Sequence, residues 1–418
     1  MTKKVSTESY KGVRDFYPKD QFIQRFLFET MSRVAEAFGY EEYGASLLEP
    51  SELYENKTSE EIVSEQTYMF TDRGERKVTL RPEMTPTVAR LVAAKRREFA
   101  FPLRLYSIPN VFRYERPQRG RLREHWQLNA DIFGVSEVEA EAEIIALAHR
   151  IMTEFGARES DFEIRINDRA LLSSIYEKLE ITGEKARKAT RLLDKREKDK
   201  NFKKELVEAV GKDAADKLEQ ALEETSSTAY FEQLIGILRN AYSIRNAAVD
   251  TSIVRGFDYY TGMVFEVYDT SQENKRSLFG GGRYDNLMEI FGSEPIPAVG
   301  FGMGDVTARD FLETHGLLPS YAPATELMLC PLSRDTLLET LKLAQALRSA
   351  DVTVAINYSG RRVRDMIAQA DKMGIPFIIC IGEKEIDTGK YTIKHLESGK
   401  ETTLSADRIA DHLFSSAG

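Results

Sequence analysis

Cysteine is nearly absent from the 418 residues: Cys330 in LMLCPL and Cys380 in FIICIG are the two, and both sit in short apolar runs that read as buried strands. That count excludes a disulfide framework. Histidine is scarce as well, with five in the chain and none at ligand spacing from a cysteine, so a structural zinc site is not expected. No stretch approaches the ~18 uninterrupted apolar residues of a membrane span, and the basic start MTKKVSTESYKGVRDF has no apolar run behind it to make a secretory signal. A cytoplasmic protein with no membrane partner is the expectation. An excess of basic charge is also missing, because 58 Lys plus Arg against 67 Asp plus Glu leaves a net charge of -9. Indiscriminate nucleic-acid binding is thereby disfavoured, although a local basic face is not. What the chain does have is length and a 42% hydrophobic content, enough for sizeable cores in two or three domains.

Periodicity divides the chain into three regions. In the first, Phe22, Phe26, Leu27, Met31, Val34 and Phe38 recur at helical spacing over 20–38, a strand is expected at 40–49 and another at 77–80, and a helix from about Pro86 to Lys95. Strand composition returns at 103–108, 111–114 and 126–133, and 138–155 is a long amphipathic helix. Strands and helices mix without regular βαβ alternation, which favours an antiparallel sheet with flanking helices, an α+β fold. The second region, about 170–246, is charge-dense, rich in Leu and Ala and poor in strand candidates, and reads as a helical insertion; its run Lys195–Lys200 is a solvated helix face or a nucleic-acid contact. Strands then resume at 253–255, 263–268 and 299–301, the last leading into a helix. The stretch LLPSYAPA (317–324) reads as a linker, after which strands at 327–332, 352–356 and 377–381 alternate with helices at 336–349 and 361–372. This third region is a small α/β domain with a mostly parallel sheet. Its 12 Lys plus Arg nearly balance 13 Asp plus Glu, and Arg361, Arg362, Arg364 and Lys372 crowd one helix. The domains are therefore expected at 1–322 and 326–418.

Three segments are too polar for plain strands and too ordered for plain loops. Arg113, Arg116, Arg119, Arg121 and Arg123 surround a Pro and a Gly that force a turn, an arrangement that fits either several guanidinium forks on a polyphosphate or a solvated basic hairpin. RGFDYYTG (255–262) places Arg255, Tyr259 and Tyr260 beside an alternating strand, as a site wall or as core aromatics with satisfied hydroxyls. GGGRYD (280–285) permits close backbone approach to a ligand, or simply a tight bend.

Together, in this order and with LRPEMTPT (80–87) ahead of them, these segments resemble the histidyl-tRNA synthetases, a class II aminoacyl-tRNA synthetase family, over essentially the whole chain. Arg113 to Gln127, continuing through Asp131 and Gly134, resembles class II motif 2; RGFDYYTG and GGGRYD resemble the two histidine-specific signatures; the last domain resembles the anticodon-binding module. The resemblance implies an antiparallel six- to seven-stranded catalytic sheet, ATP-dependent activation of L-histidine with Mg²⁺, transfer to tRNA(His), and a homodimer. It assigns catalysis to Arg113 and Arg255, because negative charge gathers on phosphoryl oxygens and fixed cations must meet it. Histidine binding falls to Glu83, Met84, Thr85, Arg113, Gln127, Asp131, Arg255, Tyr259 and Tyr260, with Asp131 and Tyr260 reading the ring, and ATP binding to Arg113, Glu115, Arg121 and Arg123. No metal-binding side chains are assigned.

Three positions depart from the family pattern. Asp131 stands where many members carry Glu, Ser46 replaces the motif 1 proline, and motif 3 reads Gly304-Asp305-Val306-Thr307, without the usual arginine at 307. Arg309 lies two residues further, about 200° round a helix, and should face away, so Arg121 and Arg123 are the expected substitutes. The rival reading is a non-catalytic histidine-binding relative such as the regulatory subunit of ATP phosphoribosyltransferase.

Overall fold

The computed structural model describes residues 5–55, 66–193, 201–225, 228–253, 259–274 and 276–416. Arg255 lies outside them, as do most of the strand expected at 253–255 and the charge run 195–200. The chain forms two compact units: Ile23–Pro319 with the N-terminal residues up to Phe16, and Ser320–Gly418 with Tyr17–Phe22.

The larger unit begins with α1 (Pro18–Ala37), β1 (Glu41–Glu42), β2 (Leu48–Pro50), α2 (Glu52–Glu55), β3 (Tyr68–Thr71), β4 (Lys77–Leu80) and α3 (Thr85–Lys95). It continues with β5 (Leu103–Ser107), β6 (Asn110–Phe112), β7 (Glu124–Phe133), α4 (Val138–Glu154) and β8 (Phe162–Asp168). Helices α5 (Arg169–Lys178), α6 (Gly183–Leu193), α7 (Phe202–Val210), α8 (Lys212–Thr225) and α9 (Ala229–Asn240) follow. It closes with β9 (Ala247–Val249), β10 (Met263–Asp269), β11 (Ser277–Arg283), β12 (Ala298–Gly304) and α10 (Asp305–Thr314).

Six long strands make an antiparallel sheet in the order β5-β7-β12-β11-β10-β8, and the short β1 and β9 add parallel edges. With β6 paired to β7 the sheet has nine strands rather than six or seven, the extra ones being two- and three-residue pieces. Side chains alternate across it. Leu128, Ala130 and Ile132 of β7, Ile164 and Ile166 of β8, Phe265 and Val267 of β10, and Val299, Phe301 and Met303 of β12 share one core with α1, α4 and α9. Helix α1 joins by burying Leu27, Met31, Val34 and Ala35, spaced as one helical stripe, and Pro18 opens it at a position where a missing N–H costs nothing. The opposite face of the sheet is left for the site.

Several expectations change. The strand expected at 40–49 is two, because the chain turns at Ser46, whose hydroxyl accepts the Leu48 N–H at 3.2 Å, while the buried Arg81 guanidinium donates to the Ala45 and Ser46 carbonyls. The stretch 170–246 divides: α5 to α8 enclose a small core of their own, including Leu172, Leu193, Leu206 and Leu218, whereas Phe231, Leu234 and Leu238 of α9 pack into the main core. The glycines at 280–282 form a central strand, not a bend.

The smaller unit carries β13 (Leu327–Pro331), α11 (Leu337–Arg348), β14 (Val354–Ile356), α12 (Val363–Lys372), β15 (Phe377–Ile381), α13 (Glu383–Thr388), β16 (Lys390–His395), β17 (Glu401–Ser405) and α14 (Ala406–Ser416). Its sheet runs β14-β13-β15-β16-β17, parallel through the first three strands and closed by an antiparallel hairpin. Cys330 and Cys380 face each other across β13 and β15 as free thiols. Among the described residues no helix is long and apolar enough to cross a membrane.

Candidate active site

The site is a trench floored by glycine. On β11 and β12, Gly280 pairs with Gly302 and Gly282 with Gly300; across β12, Gly300 and Gly302 pair with Asp131 and Asn129 of β7. Paired residues point to the same face, so His125, Gln127, Asn129 and Asp131 make one wall, and Val264 and Glu266 of β10 make the other. The glycines are required by close approach: a Cβ at Gly300 would lie 2.0 Å from Asp131 Oδ1, and one at Gly302 would lie 2.1 Å from Gln127 Nε2. From Gly300 to Gly304 the floor extends roughly 14 Å at the usual strand rise.

Within the trench is a cavity of 210 Å³ whose polar lining is Glu83, Thr85, Arg113, Gln127, Tyr259, Tyr260, Glu266 and Tyr284. Glu83 is 1% exposed; its carboxylate accepts the Tyr259 hydroxyl at 2.9 Å, and its carbonyl accepts the Tyr54 hydroxyl at 3.3 Å. Tyr54 also shares a hydrogen bond with Thr87 at 3.0 Å, which fixes the turn ahead of α3. Burial, reinforced by the Glu83 charge, holds the Tyr259 and Tyr260 phenols well above the usual range, so both stay protonated donors. Arg113 is oriented by donation from Nε to the Pro82 carbonyl at 2.9 Å.

Asp131 lies across Gly300, behind the lining, where the Tyr284 hydroxyl donates to Oδ1 at 2.5 Å. Burial pushes its carboxyl up to about 7 against the opposing pull of that hydrogen bond, and Oδ2 has no hydrogen-bond partner among the described residues. A buried carboxylate oxygen without a donor is an acceptor for a ligand N–H. Next to Gln127, His125 is driven down to about 3 by burial and then by the Arg113 and Arg14 charges, so it is a neutral ring at pH 7.

The arginine-rich segment is a tight hairpin beside the trench. Gln118 and Arg121 exchange backbone hydrogen bonds around Gly120, whose φ is +75°. Glu115 pairs with Arg121 at 3.1 Å, and the Arg123 guanidinium stacks on Tyr114 at 4.0 Å while donating to the Tyr10 hydroxyl at 2.9 Å. Arg119 donates to Asn274 at 3.1 Å and Thr314 at 3.0 Å, laying the hairpin tip on the segment ahead of β11 and on α10. There Thr307 donates to the Leu278 carbonyl at 2.7 Å, and its methyl would sit 3.5 Å from a Cβ on Gly120. A short side chain at 307 thus leaves space for the tip.

The histidyl-tRNA synthetase family model matches residues 12–305, and a model of the anticodon binding domain matches 326–414. The chain belongs to the histidyl-tRNA synthetase family. Among its relatives, the histidine–tRNA ligase of Leptospira biflexa is 41% identical over 96% of each chain, and that of Haloarcula marismortui is 36% identical over 95% of each. In fold it is similar to the crystal structure of histidyl-tRNA synthetase from Nostoc sp. PCC 7120, with a TM-score of 0.82 at 24% identity, covering 99% of this chain and 100% of that one.

Of the residues that the synthetase resemblance singles out, Glu83, Thr85, Arg113, Gln127, Tyr259 and Tyr260 meet around one cavity. Met84, between Glu83 and Thr85 in the chain, is fully buried, Asp131 stands behind the cavity, and Glu115, Arg121 and Arg123 belong to the hairpin. Tyr284, Glu266, Tyr54 and Asp305 were not singled out. Tyr284 is visible only as a member of the second signature and Glu266 only as a residue of the alternating strand after the first, since their roles come from which strand lies opposite. Nothing in the local sequence links Tyr54 to Glu83.

Proposed function

We infer that this member of the family is a histidine–tRNA ligase: it activates L-histidine with ATP to histidyl-adenylate and transfers it to the 3′ end of tRNA(His), acting as a homodimer with a catalytic domain at 1–322, a helical insertion at about 170–246 and an anticodon-binding domain at 326–418. The observation that carries the site reading is the Asp131 oxygen left without a donor beside a cavity lined by Glu83, Gln127 and Arg113. In this reading Glu83, Thr85 and Gln127 hold the α-ammonium, and the imidazole lies between the Asp131 carboxylate and the Tyr260 hydroxyl, so each ring nitrogen has a partner. Met84, buried between Glu83 and Thr85 in the chain, is assigned to the same site by family resemblance. Tyr259, by donating to Glu83, keeps that carboxylate aimed at the ammonium.

Histidine's carboxylate is already ionised at neutral pH and needs no general base. One of its oxygens attacks the α-phosphorus of ATP, the bond to the bridging oxygen breaks, and pyrophosphate leaves with that electron pair. Arg113 bridges the carboxylate and the α-phosphate, and Arg255 is assigned to the same phosphate by family resemblance. Both cations oppose charge that grows on the phosphoryl oxygens. Arg121, with Glu115 steering it, reaches the distal phosphates, and Arg123 shapes the hairpin. Mg²⁺ accompanies ATP and neutralises its phosphates when bound. Glu266, a carboxylate in the cavity lining, is the side chain that would meet it. The tRNA hydroxyl then attacks the acyl carbon and AMP departs.

The regulatory-subunit alternative is not favoured, because the chain keeps the anticodon-binding domain and matches histidine–tRNA ligases along nearly its whole length. Histidine-dependent exchange of pyrophosphate into ATP tests the activity, and charging of tRNA(His) tests the transfer.

A further inference from the structure

Asp305 is 1% exposed at the start of α10, and three separate pieces of the chain converge on its carboxylate. Oδ2 accepts from Arg14 Nη2 at 2.7 Å and from Gln24 Nε2 of α1 at 3.0 Å, and Oδ1 accepts the Trp126 backbone N–H of β7 at 2.9 Å. The Arg14 guanidinium lies over the Phe16 ring at 4.9 Å, and Phe16 meets Trp126 edge-on at 5.3 Å. Residues 10–16 thereby form a strap across the start of β7.

Further along, the strap grips the arginine hairpin. The Gly12 carbonyl accepts the Arg123 N–H at 2.8 Å, and the Tyr10 hydroxyl accepts from Arg123 Nη1 at 2.9 Å. Gly12 has φ +88°, and a Cβ there would stand 2.8 Å from Arg123 Cγ and 2.9 Å from Pro117 Cγ, so the strap lies flush on both legs of the hairpin. Motif 3 is thus linked to motif 2 through Asp305, Arg14, Gly12 and Arg123, at the helix whose usual arginine is absent.

We propose that Asp305 is a positioning residue for the nucleotide half of the site: by clamping Arg14 it holds the strap, and the strap holds the hairpin that carries Arg121. The proposal rests on the reading that this hairpin receives ATP. Held in place, the hairpin is ordered before ATP arrives; released, it must be ordered at ATP's expense, which weakens nucleotide binding without touching Glu83, Tyr259 or Asp131.

Full-length Arg14→Ala and Asp305→Asn proteins, with Arg14→Lys as the conservative variant, are compared with the unaltered chain in pyrophosphate exchange. The expected result is a KM for ATP raised about tenfold with the KM for histidine within about twofold, a double variant no worse than either single one, and substantial recovery in Arg14→Lys. Tyr10→Phe removes one exposed hydroxyl without disturbing the buried cluster and should raise the ATP KM about threefold, which covers the case in which Asp305→Asn does not fold. Amide hydrogen exchange supplies a readout that needs no activity: residues 10–16 and 115–124 should lose protection together in Arg14→Ala. Unchanged ATP KM in Arg14→Ala and Tyr10→Phe, equal rises for both substrates, or loss of protection in the strap alone would each overturn the proposal. Absence of exchange in the unaltered chain would instead overturn the functional reading, and joint loss of protection would still support the clamp.

Discussion

Tyr284 gives Asp131 one hydrogen bond, and burial outweighs it, which is why the carboxyl is pushed up to about 7. The folded group holds its proton between about pH 4 and pH 7 while the unfolded one releases it, so its contribution to stability is complete below pH 4 and lost as pH rises through 7. Relative to Asp131→Asn, the unaltered protein should lose stability across that window, by on the order of 1.4 kcal/mol per pH unit, and run parallel above it. Thermal melting of both proteins from pH 4 to 8.5 measures this, and a constant difference would mean an ordinary carboxylate. Asp131→Asn should also weaken histidine binding at pH 8, where the charged acceptor is lost. The arginines are separated by a different experiment. Arg121→Ala is expected to raise the KM for ATP markedly and Arg309→Ala to leave it near its original value; the reverse ranking would assign the distal phosphates to the α10 face.

At the scale of elements, the glycine strands carry the geometry and were the least legible part of it. Glycine packs poorly in strands and usually marks bends, so 280–282 reads locally as a turn; β11 is a strand because Gly280 and Gly282 lie between β10 and β12 at places where side chains from the walls cross over. Helices α1, α3 and α4 were legible because one face is buried and the apolar spacing shows it. The strand β8 alternates as FEIRIND, but the charge-dense stretch that follows overshadows that short pattern. Glu83, Arg113 and Gln127 could be picked out from motifs, whereas Tyr284 and Asp305 acquire partners 153 and 291 residues away. The trench gives a direct test. Gly302→Ala should leave the fold intact, since its Cβ meets the movable end of Gln127, but should raise the histidine KM about tenfold by driving that amide from the cavity. Gly281→Ala, aimed at the Gly300 carbonyl at 2.1 Å, should lower the melting temperature instead. Steady-state kinetics and melting of the two variants would expose a reversed outcome.

At the scale of the whole molecule, the trench of the proposed chemistry and the match to the anticodon binding domain lie in separate units, so the losses of activation and of tRNA charging should separate too. Arg361 and Arg364 are exposed at the start of α12, and reversing both charges should lower tRNA(His) charging at moderate salt while adenylate formation is unchanged. Equal charging by the variant would make that helix face a solvated one. The claim on which the rest depends is that the trench activates histidine, and the most direct measurement is pyrophosphate exchange into ATP by the purified chain. The account predicts exchange that requires L-histidine and is abolished in Arg113→Ala. A folded protein that binds histidine in calorimetry yet catalyses no exchange would contradict it, and would leave the trench as a histidine-binding site without the chemistry.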